Sequence, residues 1–156
     1  MKWKIITLET ISFLFIVLFV YAAGGKLIDY QKFTVQLGQS PMLTRWADSI
    51  AWFIPAIEIV TAIMLVFKKT QKIALYIALN LMTIFTAYII IVTNFSPHVP
   101  CSCGGVLEKL GWTEHLIFNI GFMFLSIIGI LLHDTLTSNK NILAEPTSGN
   151  FSTADY

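Results

Sequence analysis

Charge is scarce in this sequence. Asp, Glu, Lys and Arg make up 12% of its 156 residues, against roughly 25% in ordinary soluble domains. The charges nearly cancel, leaving a formal net charge of +1, and no run gathers them into a basic patch. Nothing electrostatic therefore argues for nucleic acid as a partner. Cysteine is nearly absent as well. The chain holds two, Cys101 and Cys103, one residue apart. No internal repeat of useful strength is visible.

Apolar residues are abundant. Hydrophobic types make up 56% of the chain, with twelve Phe and four Trp, and the mean hydropathy is +0.73. A soluble fold of this length could not hide that much apolar surface. The class is integral membrane protein, with a lipid bilayer as its first partner. Four apolar segments stand out: Ile5 to Ala23, Ile50 to Phe67, Ile73 to Phe95 and Leu116 to Leu132. Each approaches the roughly 20 residues that cross a hydrocarbon core, and the fourth, at about 17, is at the short end. Lipid cannot satisfy the backbone of an open strand, so each segment is expected to be helical. The predicted fold is an all-α integral membrane protein, a four-transmembrane-helix bundle.

Lys and Arg set the expected orientation. Lys2 and Lys4 precede the first span, Lys68, Lys69 and Lys72 fill the tight link between spans two and three, and Lys140 follows span four. Lys26, Lys32, Arg45 and Lys109 are spread over longer loops on the other side. The positive-inside rule puts both termini in the cytoplasm and the cysteines on the periplasmic side of a bacterial inner membrane, where disulfides persist. The first span also has features of a cleavable signal peptide, with Val20-Tyr21-Ala22 at its end. Its length, Glu9 and the unbroken run into Gly24-Gly25-Lys26 argue for retention.

Two stretches are too polar to span. Between spans one and two, Leu27, Ile28, Tyr30, Phe33, Val35 and Leu37 alternate with Lys26, Asp29, Lys32 and Gln36. That pattern predicts an amphipathic outer-face helix, lying at the interface or packed over the bundle, with Gly24-Gly25 permitting a bend before it and an end near Pro41. Trp46, Trp52 and Trp112 fall near the same boundary, as an aromatic belt would. After a membrane domain of residues 1–135, residues 136–156 are rich in Ser, Thr, Asn and Asp and read as a disordered cytoplasmic tail.

The chemistry concentrates at Cys101-Ser102-Cys103-Gly104-Gly105. Alpha carbons two apart in sequence lie roughly 5.5–7 Å from each other, overlapping the upper part of the disulfide range. So small a ring is strained, which suits a bond that is made and broken, and it would staple little chain. Thr113 reads as the N-cap of span four, whose positive end would lower the pKa of a nearby thiolate. The spacing leaves two other readings open. Cys101, Cys103, His98 and His115 form a soft set suited to Cu(I) or Zn(II), and the pair can also be two incidental small residues.

Polar residues inside the spans add candidates. Glu58 lies near mid-span, three residues after Pro55, at a depth where ionisable groups usually face the bundle interior. Protonated, it could hydrogen-bond a quinone carbonyl or relay a proton; alternatively it bonds the backbone freed by Pro55, or Thr61. His115 and Asn119, four apart, share a face of span four at the depth of the cysteines. His115 is the candidate base, proton carrier or quinone contact, or else an interfacial histidine packed on Trp112. Asn119, like Asn80, suits interhelical hydrogen bonding. Lys26 and Arg45 can neutralise an anion or snorkel. Glu9 is expected to reach water, and His133 to mark the inner boundary.

These residues also carry a resemblance. Tyr21-Ala22-Ala23-Gly24-Gly25-Lys26-Leu27, the amphipathic stretch ending at Pro41 and the Pro55–Glu58 pair resemble the MauE/DoxX superfamily. Cys101-Ser102-Cys103-Gly104-Gly105-Val106 with Trp112-Thr113-Glu114-His115-Leu116 and Phe118-Asn119 is similar to its redox-associated MauE-like branch. The resemblance covers roughly residues 1 to 135. It implies a four-helix membrane bundle acting in thiol–disulfide chemistry outside the cytoplasm; the methylamine-utilisation member is associated with making disulfides in its partner enzyme. The architecture is also similar to the four-helix core of vitamin K epoxide reductase, where a cysteine pair hands electrons to a quinone. That class uses CxxC, often with a second pair. Here the pair is CxC and stands alone, which rules out a two-pair relay within the chain. The resemblance thus implies catalytic Cys101, Cys103 and His115, a quinone cofactor near Glu58, Asn119 and Trp112, and an extracytoplasmic thiol or disulfide protein as partner. DoxX-side members without cysteines act as subunits of larger membrane complexes, the alternative role for this chain.

Overall fold

The computed structural model describes residues 2–39, 44–95 and 111–144. These form five α-helices: α1 (Lys2–Ile28), α2 (Tyr30–Gln39), α3 (Ala47–Val66), α4 (Gln71–Phe95) and α5 (Trp112–Ala144), with a short 3-10 turn, Thr44–Trp46, leading into α3. No strand occurs among the described residues. Four of the helices are long and apolar enough to cross a membrane, so this is a multi-pass membrane protein.

The spans form a closed ring. α1 packs chiefly on α3 and α4 chiefly on α5, and α3–α4 and α1–α5 contacts complete the circuit. Leu8, Ile11, Phe15 and Phe19 of α1 meet Ala62 and Leu65 of α3, Ala74, Leu75, Ala78 and Met82 of α4, and Ile130 of α5. Phe15 anchors the middle, with its ring edge-on to Phe122 at 5.2 Å. Gly129 lets α5 approach closely: a Cβ there would lie 3.3 Å from both Leu75 methyls and 3.4 Å from Ile11 Cγ2. The outer faces carry Phe13, Val17, Phe53, Val60, Ile84, Ile117, Phe124 and Leu131, all exposed. Helices apolar on the outward face as well as the inward one suit lipid, not water.

The two ends of the bundle differ. At the end where α3 turns into α4, the Thr70 hydroxyl donates to the Met64 carbonyl (2.7 Å) and the Phe67 carbonyl (3.2 Å), satisfying acceptors left open at a helix C-terminus. Lys68 pairs with Glu9 at 3.2 Å and Lys72 with Asp134 at 2.7 Å, both partly open to solvent. Glu9 thus reaches the surface as expected. Beneath them the Gln71 amide donates to Ser12 Oγ at 2.8 Å in a buried contact.

At the opposite end, the stretch read as amphipathic is helical. α2 buries Phe33 and Leu37 against Ala47 and Ala51 of α3, positions four apart on one face of each helix. Gly24 and Gly25, which permit a bend, both lie inside α1. The break is the single residue Asp29, and helical hydrogen bonds continue on both sides of it, Asp29 N–H to Gly25 (3.2 Å) and Phe33 N–H to Asp29 (3.0 Å). A glycine may bend a helix, but an apolar environment rewards an unbroken backbone ladder.

Two boundaries differ from the sequence reading. α5 continues to Ala144, so residues 136–144 of the segment read as a disordered tail are helical; 145–156 lie outside the described residues. The Lys72–Asp134 pair anchors this extension, and no Gly or Pro interrupts it before Pro146, which disfavours helix at the residue ahead of it. At its other end α5 begins at Trp112, and the His115 N–H bonds the Gly111 carbonyl at 3.0 Å. Gly111 therefore stands at the N-cap, and Thr113 lies within the first turn.

Candidate functional site

Lys26 sits two residues before the end of α1, and Glu58 is well inside α3. Their meeting follows from helix geometry. The Cα–Cβ bonds of a helix tilt toward its own N-terminus. α1 and α3 run antiparallel, so Lys26 leans inward from the end while Glu58 leans out toward it. Lys26 Nζ lies 2.6 Å from Glu58 Oε1, with side-chain exposures of 15% and 1%. Neither alternative expected for Glu58 is its partner. The Thr61 hydroxyl donates instead to the Ile57 carbonyl within its own helix, at 2.7 Å.

Two aromatic rings flank the ammonium. Lys26 Nζ is 5.9 Å from the Phe33 centroid and 5.4 Å from that of Phe85. Cation–π attraction at this range strengthens when the cation is desolvated. α1, α2, α3 and α4 thus each contribute a side chain to this layer. On α5, His115 is half-buried near the start of the helix. One turn further along the same face, Asn119 is buried. Its Nδ2 has no hydrogen-bond partner among the described residues, and neither has Glu58 Oε2.

Glu58, His115 and Asn119 therefore all face inward from the spans on which they were expected. Asn119 does not act as glue through its amide nitrogen, and Asn80 bonds Tyr76 in its own helix at 2.9 Å. Arg45 lies exposed in the 3-10 turn. His133 is half-buried, with Nδ1 lacking a partner among the described residues. Cys101, Cys103 and His98 lie outside the described residues, as does the side chain of Trp112. Among the described residues no three His, Cys, Asp or Glu side chains group to hold a metal.

The family model described as methylamine utilisation protein MauE matches residues 4–132. The chain belongs to the MauE family. The match takes in all four spans of this MauE-family chain, together with Lys26, Glu58, Cys101, Cys103, His115 and Asn119. It stops short of Asp134 and the extension of α5. No curated protein and no solved structure matches the chain.

Sequence reasoning had Lys26 neutralising an anionic ligand or snorkelling at the surface, not pairing with Glu58, and did not single out Phe33 or Phe85 as site residues. A signal was present. A carboxylate deep in a span needs a counter-charge, and among the residues closing span one only Lys26 can supply it. Phe85 carried no such signal, being one of twelve Phe in the chain.

Proposed function

We propose that this MauE-family protein is a membrane thiol–disulfide oxidoreductase. Cys101 and Cys103 cycle between dithiol and disulfide, exchanging electrons with an extracytoplasmic protein through a mixed disulfide. A membrane quinone held near His115 and Glu58 is the second redox partner. In the oxidising direction, a thiolate of the substrate protein attacks the Cys101–Cys103 bond, and its second thiolate resolves the mixed disulfide. The dithiol formed then passes two electrons and two protons to the quinone, yielding quinol and restoring the disulfide. The family description supports a role in methylamine utilisation.

One observation carries this reading. The link between α4 and α5, whose sequence holds both cysteines, joins the end of α4 to the start of α5, the same end of the bundle as the Lys26–Glu58 pair, and His115 and Asn119 stand in the first turns of α5. A buried ion pair flanked by two aromatic rings, at the end from which the cysteine-bearing link departs, supports this reading. The test is a redox titration of the purified protein in detergent, counting free thiols by alkylation and intact mass. A reversible two-electron transition well above the potential of a structural disulfide, roughly −300 mV, is expected. Thiols that never oxidise, or a bond that never reduces, would refute the reading in favour of a non-catalytic subunit of a membrane complex.

A further inference from the structure

The outward face of α4 carries a residue ill suited to lipid. Asn80 is exposed and stands near the middle of the membrane-crossing segment Gln71–Ile91. At 1.5 Å per residue it lies about 14 Å along the helix from Gln71, close to the centre of a hydrocarbon core roughly 30 Å thick. Tyr76, Thr83, Ile84, Ala87 and Ile91 are exposed as well. All fall within about 60° of Asn80 around the helix axis, so they form one stripe. The other side of α4, with Ala74, Leu75, Ala78 and Met82, packs into the bundle.

Outward hydroxyls are satisfied within their own helices. Thr7 and Thr10 of α1 and Thr83 of α4 each donate to the carbonyl four residues back, at 2.8–2.9 Å. A carboxamide has more to satisfy, with two N–H donors and a carbonyl oxygen. The Asn80 amide nitrogen donates once, to the Tyr76 carbonyl at 2.9 Å, its only bond among the described residues. One N–H and the oxygen remain, at a depth where unmet polar groups are costly. Acyl chains offer them nothing.

The two remaining groups are a donor and an acceptor on one amide, so Asn80 is complementary to a second Asn80. Copies of the chain inserted in one orientation hold residue 80 at one depth. A two-fold axis along the membrane normal brings two such amides together, each donating to the other's oxygen. Ala87, two turns along the stripe, leaves room for the backbones to approach. Among the described residues no other span exposes a carboxamide at this depth, which singles out α4. We propose that the outward face of α4 is the contact between two copies of this chain, closed at mid-membrane by a reciprocal pair of Asn80–Asn80 hydrogen bonds. Asn80 thus makes the interhelical bond expected of it, but between chains and not within one. The inference is independent of the redox reading.

The test uses the full chain in lipid vesicles, with Cys101→Ser/Cys103→Ser so that an added thiol stands alone. Ala87→Cys puts that thiol on the α4 stripe, and Phe124→Cys puts it on the exposed face of α5. Mild oxidation at a low protein-to-lipid ratio should link Ala87→Cys chains into dimers on a non-reducing gel and leave Phe124→Cys chains monomeric. Energy transfer between chains labelled at the C-terminus, followed as lipid is added, measures the dimer without a crosslink. Asn80→Leu should weaken it about tenfold, the scale of two interhelical hydrogen bonds. Asn80→Gln keeps the carboxamide and should retain most of the association. Helix content of both variants by circular dichroism should match the parent, which separates a lost contact from a lost fold. Monomers at every dilution, equal linking from both faces, a dimer unmoved by Asn80→Leu, or linking of Ala87→Cys only to a different protein in cell membranes would overturn the proposal.

Discussion

Lys26 Nζ and Glu58 Oε1 lie 2.6 Å apart although their residues are 32 positions apart in the chain. The contact joins the first span to the second at a place where water is nearly excluded. Removing either partner strands the other charge. Lys26→Met or Glu58→Leu alone should therefore destabilise the folded bundle by about 3–5 kcal/mol, while the double replacement should cost far less or nothing. Thermal unfolding of the four proteins in one detergent, treated as a double-mutant cycle, checks this. Equal losses for single and double variants would contradict the pairing.

Gly129 and Gly121 give a controlled comparison within one helix. A side chain at Gly129 meets Leu75 and Ile11, whereas a Cβ at Gly121 has nothing within 4 Å. Gly129→Leu should lower stability by about 1–3 kcal/mol through overpacking. Gly121→Ala should be neutral or stabilising by up to about 1 kcal/mol, the helix-propensity gain. Unfolding midpoints of the two variants measured side by side would settle the ranking.

Two contacts at the Lys68 end should respond differently to deletion. Gln71 and Ser12 are bonded in a buried setting. Ser12→Ala leaves a buried amide unsatisfied, at about 1–3 kcal/mol. Lys72 and Asp134 are paired near the surface, where ion pairs contribute little and salt screens them. Lys72→Gln should shift the unfolding midpoint less than Ser12→Ala does, and that small shift should vanish at high salt. A larger effect from Lys72→Gln would show that α5 depends on this anchor more than its exposure implies.

The thiol chemistry predicts a trapped species. With Cys101→Ser or Cys103→Ser, the remaining thiol cannot resolve a mixed disulfide internally. One of the two variants should accumulate a reducible adduct with its partner protein, visible as a band on non-reducing gels that disappears with reductant. Absence of an adduct from both variants would weigh against exchange at this pair.

The four spans were legible because apolar run length is a strong signal and lipid permits few alternatives to helix. Glu58 was legible as an inward-facing residue by its cost in lipid, and His115 with Asn119 by their spacing of four. Their environment was not. Pairing Lys26 with Glu58 depends on how α1 and α3 lean on one another, which no local pattern encodes. The early end expected for α5 failed because composition was weighed without the tertiary contacts that override it. In residues 27–37 the helix is present, but Leu27, Ile28 and Val35 are exposed while Gln36 is buried beside Phe33 and Leu37, so the interleaved pattern did not by itself mark the buried face.

The Lys26–Glu58 pair also bears on how the chain is made. A lone glutamate within a span resists entry into lipid, whereas a lysine near a span's end can extend its side chain to the interface at little cost. Lys26 belongs to a helix synthesised before α3. Because Lys26 precedes Glu58 in the chain, the counter-charge for the carboxylate is synthesised before the span that carries it, an order suited to inserting Glu58 already paired.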